Sequence, residues 1–140
     1  MNDVDPIGQL LTAARTVAVV GCSAKPERDS HRVAAYLQRA GGYRMIPVNP
    51  GLDEVLGERC YPDLASIPRD VAIDIVDVFR RSEAVPPIAE AAIERGARAL
   101  WLQLGVSNPE AERRAAEAGL IVISNRCIKI EHAARFDPNH

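Results

Sequence analysis

Aromatic side chains are scarce in this 140-residue chain, at 4% of the sequence, and lysine is nearly absent, occurring only as Lys25 and Lys129. So few rings offer no stacking platform for bases, and a net charge of -2 supplies no basic face, so the composition argues against nucleic acid as the main partner. Cysteine is limited to Cys22, Cys60 and Cys127, an odd number without C-x-x-C spacing. Neither a disulfide framework nor a zinc or other metal site is expected, and reduced thiols in a cytoplasmic protein are the plain reading. No apolar run approaches the roughly 20 residues of a membrane helix. Met1 to Asp5 hold two acids and no basic stretch, so no secretory signal is expected. Both common nucleotide fingerprints, G-x-G-x-x-G and G-x-x-x-x-G-K-[ST], are missing as well.

What remains is ordinary for a globular domain: 47% hydrophobic and 26% charged residues, with length for one core and not two. Strand-like and helix-like segments alternate throughout. Ile7, Leu10, Leu11 and Ala14 mark a short opening helix, followed by a buried strand over 16–20. A helix over about 30–39 buries Val33, Leu37 and Ala40, and Gly41-Gly42 stops it. Strands are expected over 43–48, 72–79, 99–104 and 120–123, with helices near 86–95 and from Asn108 to Gly119. Asn125 is expected to cap a last helix to about Ala134. A small hairpin around Gly57 and a single turn over 64–67 fill the stretch between. Five strands in this alternation imply an α/β, Rossmann-like, doubly wound and mainly parallel sheet with helices on both faces. Residues 1–15 are expected to form a helix packing on the domain, 16–135 the domain itself and 136–140 a tail, frayed from Asp137 to the terminal His140.

In such a sheet ligands bind beyond the carboxyl ends of the strands. The first of those ends is the most informative. After Val17-Ala18-Val19-Val20, Gly21 releases the backbone, and a polar loop with Lys25 and Arg28 leads to a helix start at Asp29 or Ser30. A helix amino end offers unpaired N–H groups and partial positive charge, and cations beside it complete an anion site. Arg80 and Arg81 follow the third expected strand, so two cation-bearing loops meet at one edge.

Asp77 sits where a phosphoacceptor domain keeps its acceptor, yet Gly21-Cys22-Ser23 lacks the acids that would hold Mg²⁺. A structural role, bonded to loop amides or an arginine, is expected for Asp74 and Asp77. Cys22 is the one tempting nucleophile and is read as a small residue filling a tight loop. His31 and His132 are read as lone surface histidines. Trp101 is expected to pack, and Gln103 to turn the other way, towards the ligand edge.

The runs V-G-C-S-A-K-P-E-R-D-S, I-P-V-N-P, D-V-F-R, L-W-L-Q-L-G-V and N-R-C-I-K-I-E, in this order, resemble the small stand-alone CoA-binding proteins. These are similar to the CoA-binding domain of the succinyl-CoA synthetase α subunit. The resemblance spans roughly Thr16 to Glu131. It implies a domain binding coenzyme A or acyl-CoA at the strand ends. Carried over by position, Gly21, Cys22, Ser23, Lys25, Arg28 and Ser30 belong to the phosphate loop. Val48, Asn49 and Pro50 line the nucleotide side, Val78, Phe79 and Arg80 the adenine and ribose, and Gln103, Leu104 and Gly105 the pantetheine. The last helix, from Arg126, closes the edge. No phosphohistidine segment is matched, so the implied role is non-catalytic binding or sensing. The alternatives are thiol or acyl-transfer chemistry at Cys22, or the interaction module of a split acyl-CoA ligase. Partners left open are a homodimer or a ligase-type subunit.

Overall fold

A computed structural model describes residues 4–137, so Met1–Asp3 and the tail residues Pro138–His140 lie outside the described part. The sheet contains β1 (Thr16–Val20), β2 (Arg44–Val48), β5 (Ile75–Val78), β6 (Ala99–Leu102) and β7 (Ile121–Ile123), while β3 (Glu54–Val55) and β4 (Glu58–Arg59) form a separate hairpin. Sheet order is β2-β1-β5-β6-β7 with every neighbouring pair parallel. The helices are α1 (Pro6–Ala13), α2 (Asp29–Arg39), α3 (Val85–Glu94), α4 (Pro109–Glu117) and α5 (Ile128–Phe136). The expected α/β class and parallel, helix-flanked sheet are therefore present.

Strand alternation sorts the core into two layers. Ala18, Val20, Ile46, Val48, Val76, Val78, Leu100 and Leu102 pack under Val85, Ala89 and Ala92 of α3 and Ala111 and Ala115 of α4. Val17, Val19, Met45, Ile75, Ala99 and Trp101 pack under Leu10 and Leu11 of α1, Val33, Ala34 and Leu37 of α2, and Ile128 of α5. β1 is buried at all five positions, as a central parallel strand covered on both faces requires. Pro47 is tolerated because β2 is an edge strand.

Several local expectations shift. The third and fourth sheet strands are shorter than their apolar runs: the third begins only at Ile75, just after Asp74, whose Oδ2 accepts the Arg15 and Thr16 amides at 2.8 and 3.0 Å, and the fourth ends at Leu102. Ala34, not Ala40, completes the buried face of α2; Ala40 is exposed beyond the last turn. Pro86 and Pro87 fall in the first turn of α3, where missing N–H groups forfeit no helix bond. Asn108 caps α4 as expected, accepting the Ala111 amide at 3.0 Å. Asn125 does not cap α5. It takes a left-handed conformation (φ 55°) and accepts the Gly105 amide at 2.8 Å, while Cys127 holds the cap position. α5 runs on to Phe136, past the expected end near Ala134.

His132 is buried and not a surface residue. Its Nδ1 shares a 2.8 Å hydrogen bond with the Tyr36 hydroxyl, and the rings of Tyr36, Tyr43 and Phe136 surround it. Burial pushes its pKa down, with Asp137 opposing. Among the described residues no helix is long and apolar enough to cross a membrane.

Candidate functional site

The strand order reverses between β1 and β5, so the loops leaving those strands part to opposite faces and open a crevice. Gly21 makes the close approach possible. Its φ is 87°, its amide donates to Val48 O at 2.8 Å, and any Cβ there would strike the Phe79 carbonyl. Asn49 ties the second loop to the first by donating from Nδ2 to Cys22 O at 2.8 Å.

Short polar bonds fix the loop that follows. The Ser23 amide donates to Ser30 Oγ at 3.0 Å, His31 Nδ1 donates to Ser23 O at 2.9 Å, and the Lys25 amide donates to Ser23 Oγ at 3.0 Å. The loop is thus strapped to the amino end of α2. Arg28, at the cap position, makes no side-chain cap; its carbonyl accepts the His31 and Arg32 amides at 3.1 Å each, which leaves the Asp29 and Ser30 amides at the head of the helix without a side-chain cap.

Three adjoining cavities result. The central one, about 640 Å³, is lined by four cations, Lys25, Arg28, Arg32 and Arg80, and two carboxylates, Glu27 and Asp29. Asp29 is already engaged by Arg32 at 2.9 Å. Lys25, Arg28 and Arg80 make no ion pair among the described residues, so the cavity carries a surplus of positive charge. Towards the α3 layer lies a narrow apolar slot of about 210 Å³ between Val20, Val48, Pro50, Leu64 and Ile88. Arg95, just past α3, holds the slot's outer wall by donating to the carbonyls of Leu64, Ile67, Pro68 and Val71. Towards the α5 layer runs a groove of about 550 Å³ along Val33, Phe79, Leu104, Val106 and Ile130. Arg80 lines all three cavities, and Phe79 lines the central one and the groove.

Of the residues expected at the site, Gly21, Ser23, Lys25, Arg28, Ser30, Asn49, Phe79 and Arg80 come together around the central cavity. Val48 and Pro50 line the slot, and Leu104 the groove. Val78 does not reach it; its side chain is fully buried in the α3 layer. Gly105 borders none of the three cavities. Gln103 touches the groove but is otherwise turned inward, its Oε1 accepting the Ile128 amide at 3.1 Å. Trp101 lies two positions earlier and so shares that face; its Nε1 donates to Arg126 O at 2.9 Å. The expected opposition of these two residues is therefore wrong, and both fasten β6 to the start of α5.

Cys22 contributes backbone alone. Its side chain is fully buried, and its thiol is pushed up to about 12 by burial, with Cys60 and Asp77 adding to the effect. A thiol so shielded is not a nucleophile at neutral pH, which removes the basis for chemistry at Cys22. Asp77 departs from its expected structural bonding. Its carboxyl is fully buried between Val19 and Trp101 in register, and neither oxygen has a partner.

Sequence reasoning missed Leu64 and Ile88 in the slot and Cys127 and Ile130 in the groove. The spacing of Ile88 and Ala91 signals one helix face, but no sequence period tells which cavity that face will border. Arg32 was missed in the central cavity as well; its position four residues beyond Arg28, one helical turn on, is the signal that could have found it.

Comparison with known proteins gives a consistent result. The family model described as "CoA binding domain" matches residues 15–133. YneT of Bacillus subtilis (strain 168), itself uncharacterized, is 46% identical over 127 residues, covering 91% of this chain and 92% of that protein. A solved hypothetical protein from Pyrococcus horikoshii OT3 superposes with a TM-score of 0.87 at 40% identity, covering 96% of this chain and 98% of that one. The Archaeoglobus fulgidus acetate–CoA ligase (ADP-forming) II is 27% identical over 110 residues, and the match takes in only 16% of its length.

Proposed function

Because this chain belongs to the CoA binding domain family, we propose that the three-part cleft binds coenzyme A, as a cofactor-binding or sensing protein and not as an enzyme. The observation that carries the reading is the meeting of slot, cation cavity and groove at Arg80. Coenzyme A has the same order of parts: a flat apolar base, a densely phosphorylated middle and a long flexible arm. The base fits the slot between Val48 and Ile88. The pyrophosphate and ribose 3′-phosphate meet Lys25, Arg28, Arg80 and the open amides of α2. The arm follows the groove past Phe79 towards Leu104. Charge-assisted hydrogen bonds to phosphate contribute about 1.5–3 kcal/mol each where geometry is good.

Calorimetry with coenzyme A, dephospho-CoA, ATP and NADP⁺ tests this. Coenzyme A is expected to bind most tightly and dephospho-CoA more weakly, because the second cluster of negative charge is gone. Arg80→Ala should weaken coenzyme A by about ten- to a hundredfold, the loss of one charged contact. Absent or equal binding of all four compounds would discard the reading.

A second reading makes the chain the CoA-carrying component of a two-part ligase. Its support is the alignment of nearly three quarters of this chain with a small portion of the A. fulgidus ligase. Co-purification with a ligase-type subunit would favour it, and isolation as a free homodimer would count against it.

A further inference from the structure

We propose that the outer end of the groove is an acyl subsite in which Leu104 and Ile130 hold a short aliphatic chain carried on the coenzyme A thiol, an inference that rests on the reading above. Leu104 is 59% exposed and Ile130 57%, an unusual state for large apolar side chains placed together. They come from different elements, the loop after β6 and the first turn of α5, and both line the groove together with Val106 and Cys127. The groove is continuous with the cation cavity through Phe79 and Arg80, so a ligand anchored there runs towards this pair. The groove also holds Arg81 and Lys129, which can serve the two amides of a pantetheine arm, whereas Leu104 and Ile130 offer no polar partner. A hydrocarbon chain needs none and gains from each methylene removed from water.

The same geometry limits the chain's length. Leu104, Cys127 and Ile130 also border a further pocket of about 390 Å³, whose other walls are Ser124, Asn125, Arg126 and Glu131. Arg126 and Glu131 pair there at 3.3 Å, so the walls past Leu104 and Ile130 are polar. Methylenes beyond the pair gain no further burial. The cleft is therefore matched to short-chain acyl-CoA in preference to free coenzyme A or long-chain thioesters.

The test is calorimetry on the full chain with coenzyme A, acetyl-CoA, butyryl-CoA and octanoyl-CoA. Butyryl-CoA is expected to bind about three- to fifteenfold tighter than acetyl-CoA, from partial to full burial of two methylenes, with octanoyl-CoA no tighter than butyryl-CoA. In Ile130→Ser the ratio of butyryl-CoA to coenzyme A affinity should fall to near one, whatever the change common to both ligands. Equal affinity for coenzyme A, acetyl-CoA and butyryl-CoA overturns the acyl subsite and leaves coenzyme A binding standing. An octanoyl-CoA affinity that keeps rising by the same factor per carbon overturns the length limit. Failure of all four to bind overturns the cofactor reading, and this inference with it.

Discussion

Asp77→Val is expected to stabilise the protein at pH 8, by about 1–3 kcal/mol, the cost of a buried polar group left without a partner. The carboxyl lies in a central strand, between Val19 and Trp101, with both oxygens unpartnered. A branched apolar side chain suits that position, and no hydrogen bond is lost by the exchange. Burial pushes the Asp77 pKa well above the ordinary carboxylate range. The folded chain therefore keeps a proton that the unfolded chain releases near pH 4. Folding stability then falls as pH rises from about 4 up to the folded-state pKa, at up to about 1.4 kcal/mol per pH unit. His132, whose pKa burial lowers, acts in the opposite sense: its contribution rises with pH up to its unfolded value near 6.5. The difference between wild type and Asp77→Asn isolates the carboxyl, since the amide does not titrate. Urea unfolding across pH 4–8 should show a falling midpoint in wild type relative to a flatter one in the variant. Parallel pH profiles would contradict the account.

Gly21→Ala should lower stability by about 2–5 kcal/mol and weaken coenzyme A binding in the same protein. Two effects add. A left-handed conformation costs an ordinary residue about 1–2 kcal/mol, and Gly21 has φ 87°. A methyl at this point would also strike the Phe79 carbonyl, a backbone atom that cannot swing aside, and such overpacking costs a further 1–3 kcal/mol. Relief requires the loops after β1 and β5 to separate. Those loops carry Lys25, Arg28 and Arg80, so the cations would lose their common focus. Thermal unfolding and calorimetry on the same sample check both halves of this expectation. Gly57→Ala is a useful control: it also has positive φ (77°), but no atom within 4 Å of the added carbon. It should lose stability through strain alone and keep its binding.

Much of this architecture is written locally. β1 lies where the β-branched run is, and Asn108-Pro109-Glu110 starts α4 because cap, first helical proline and acid act within one turn. The cation-bearing loops could likewise be assigned to one sheet edge once the alternation of elements was recognised. Features that depend on partners far along the chain were not legible. His132 is buried by Tyr36 and Tyr43, about ninety residues away, and nothing near it in sequence announces them. The bonds of Asp74, at the head of the third sheet strand, to the Arg15 and Thr16 amides likewise join residues 59 and 58 positions apart. The slot owes its outer wall to Arg95, which reads as an ordinary helix-end arginine until its four carbonyl partners are seen.

The groove and the slot open on opposite faces of the sheet, with Arg80 at the crossing. A molecule laid along the whole path would clasp both half-cores, which the strands hold apart. Its departure would then require neither half to unfold completely, since loosening either one releases an end. Residence time would follow the weaker of the two layers rather than the sum of the contacts.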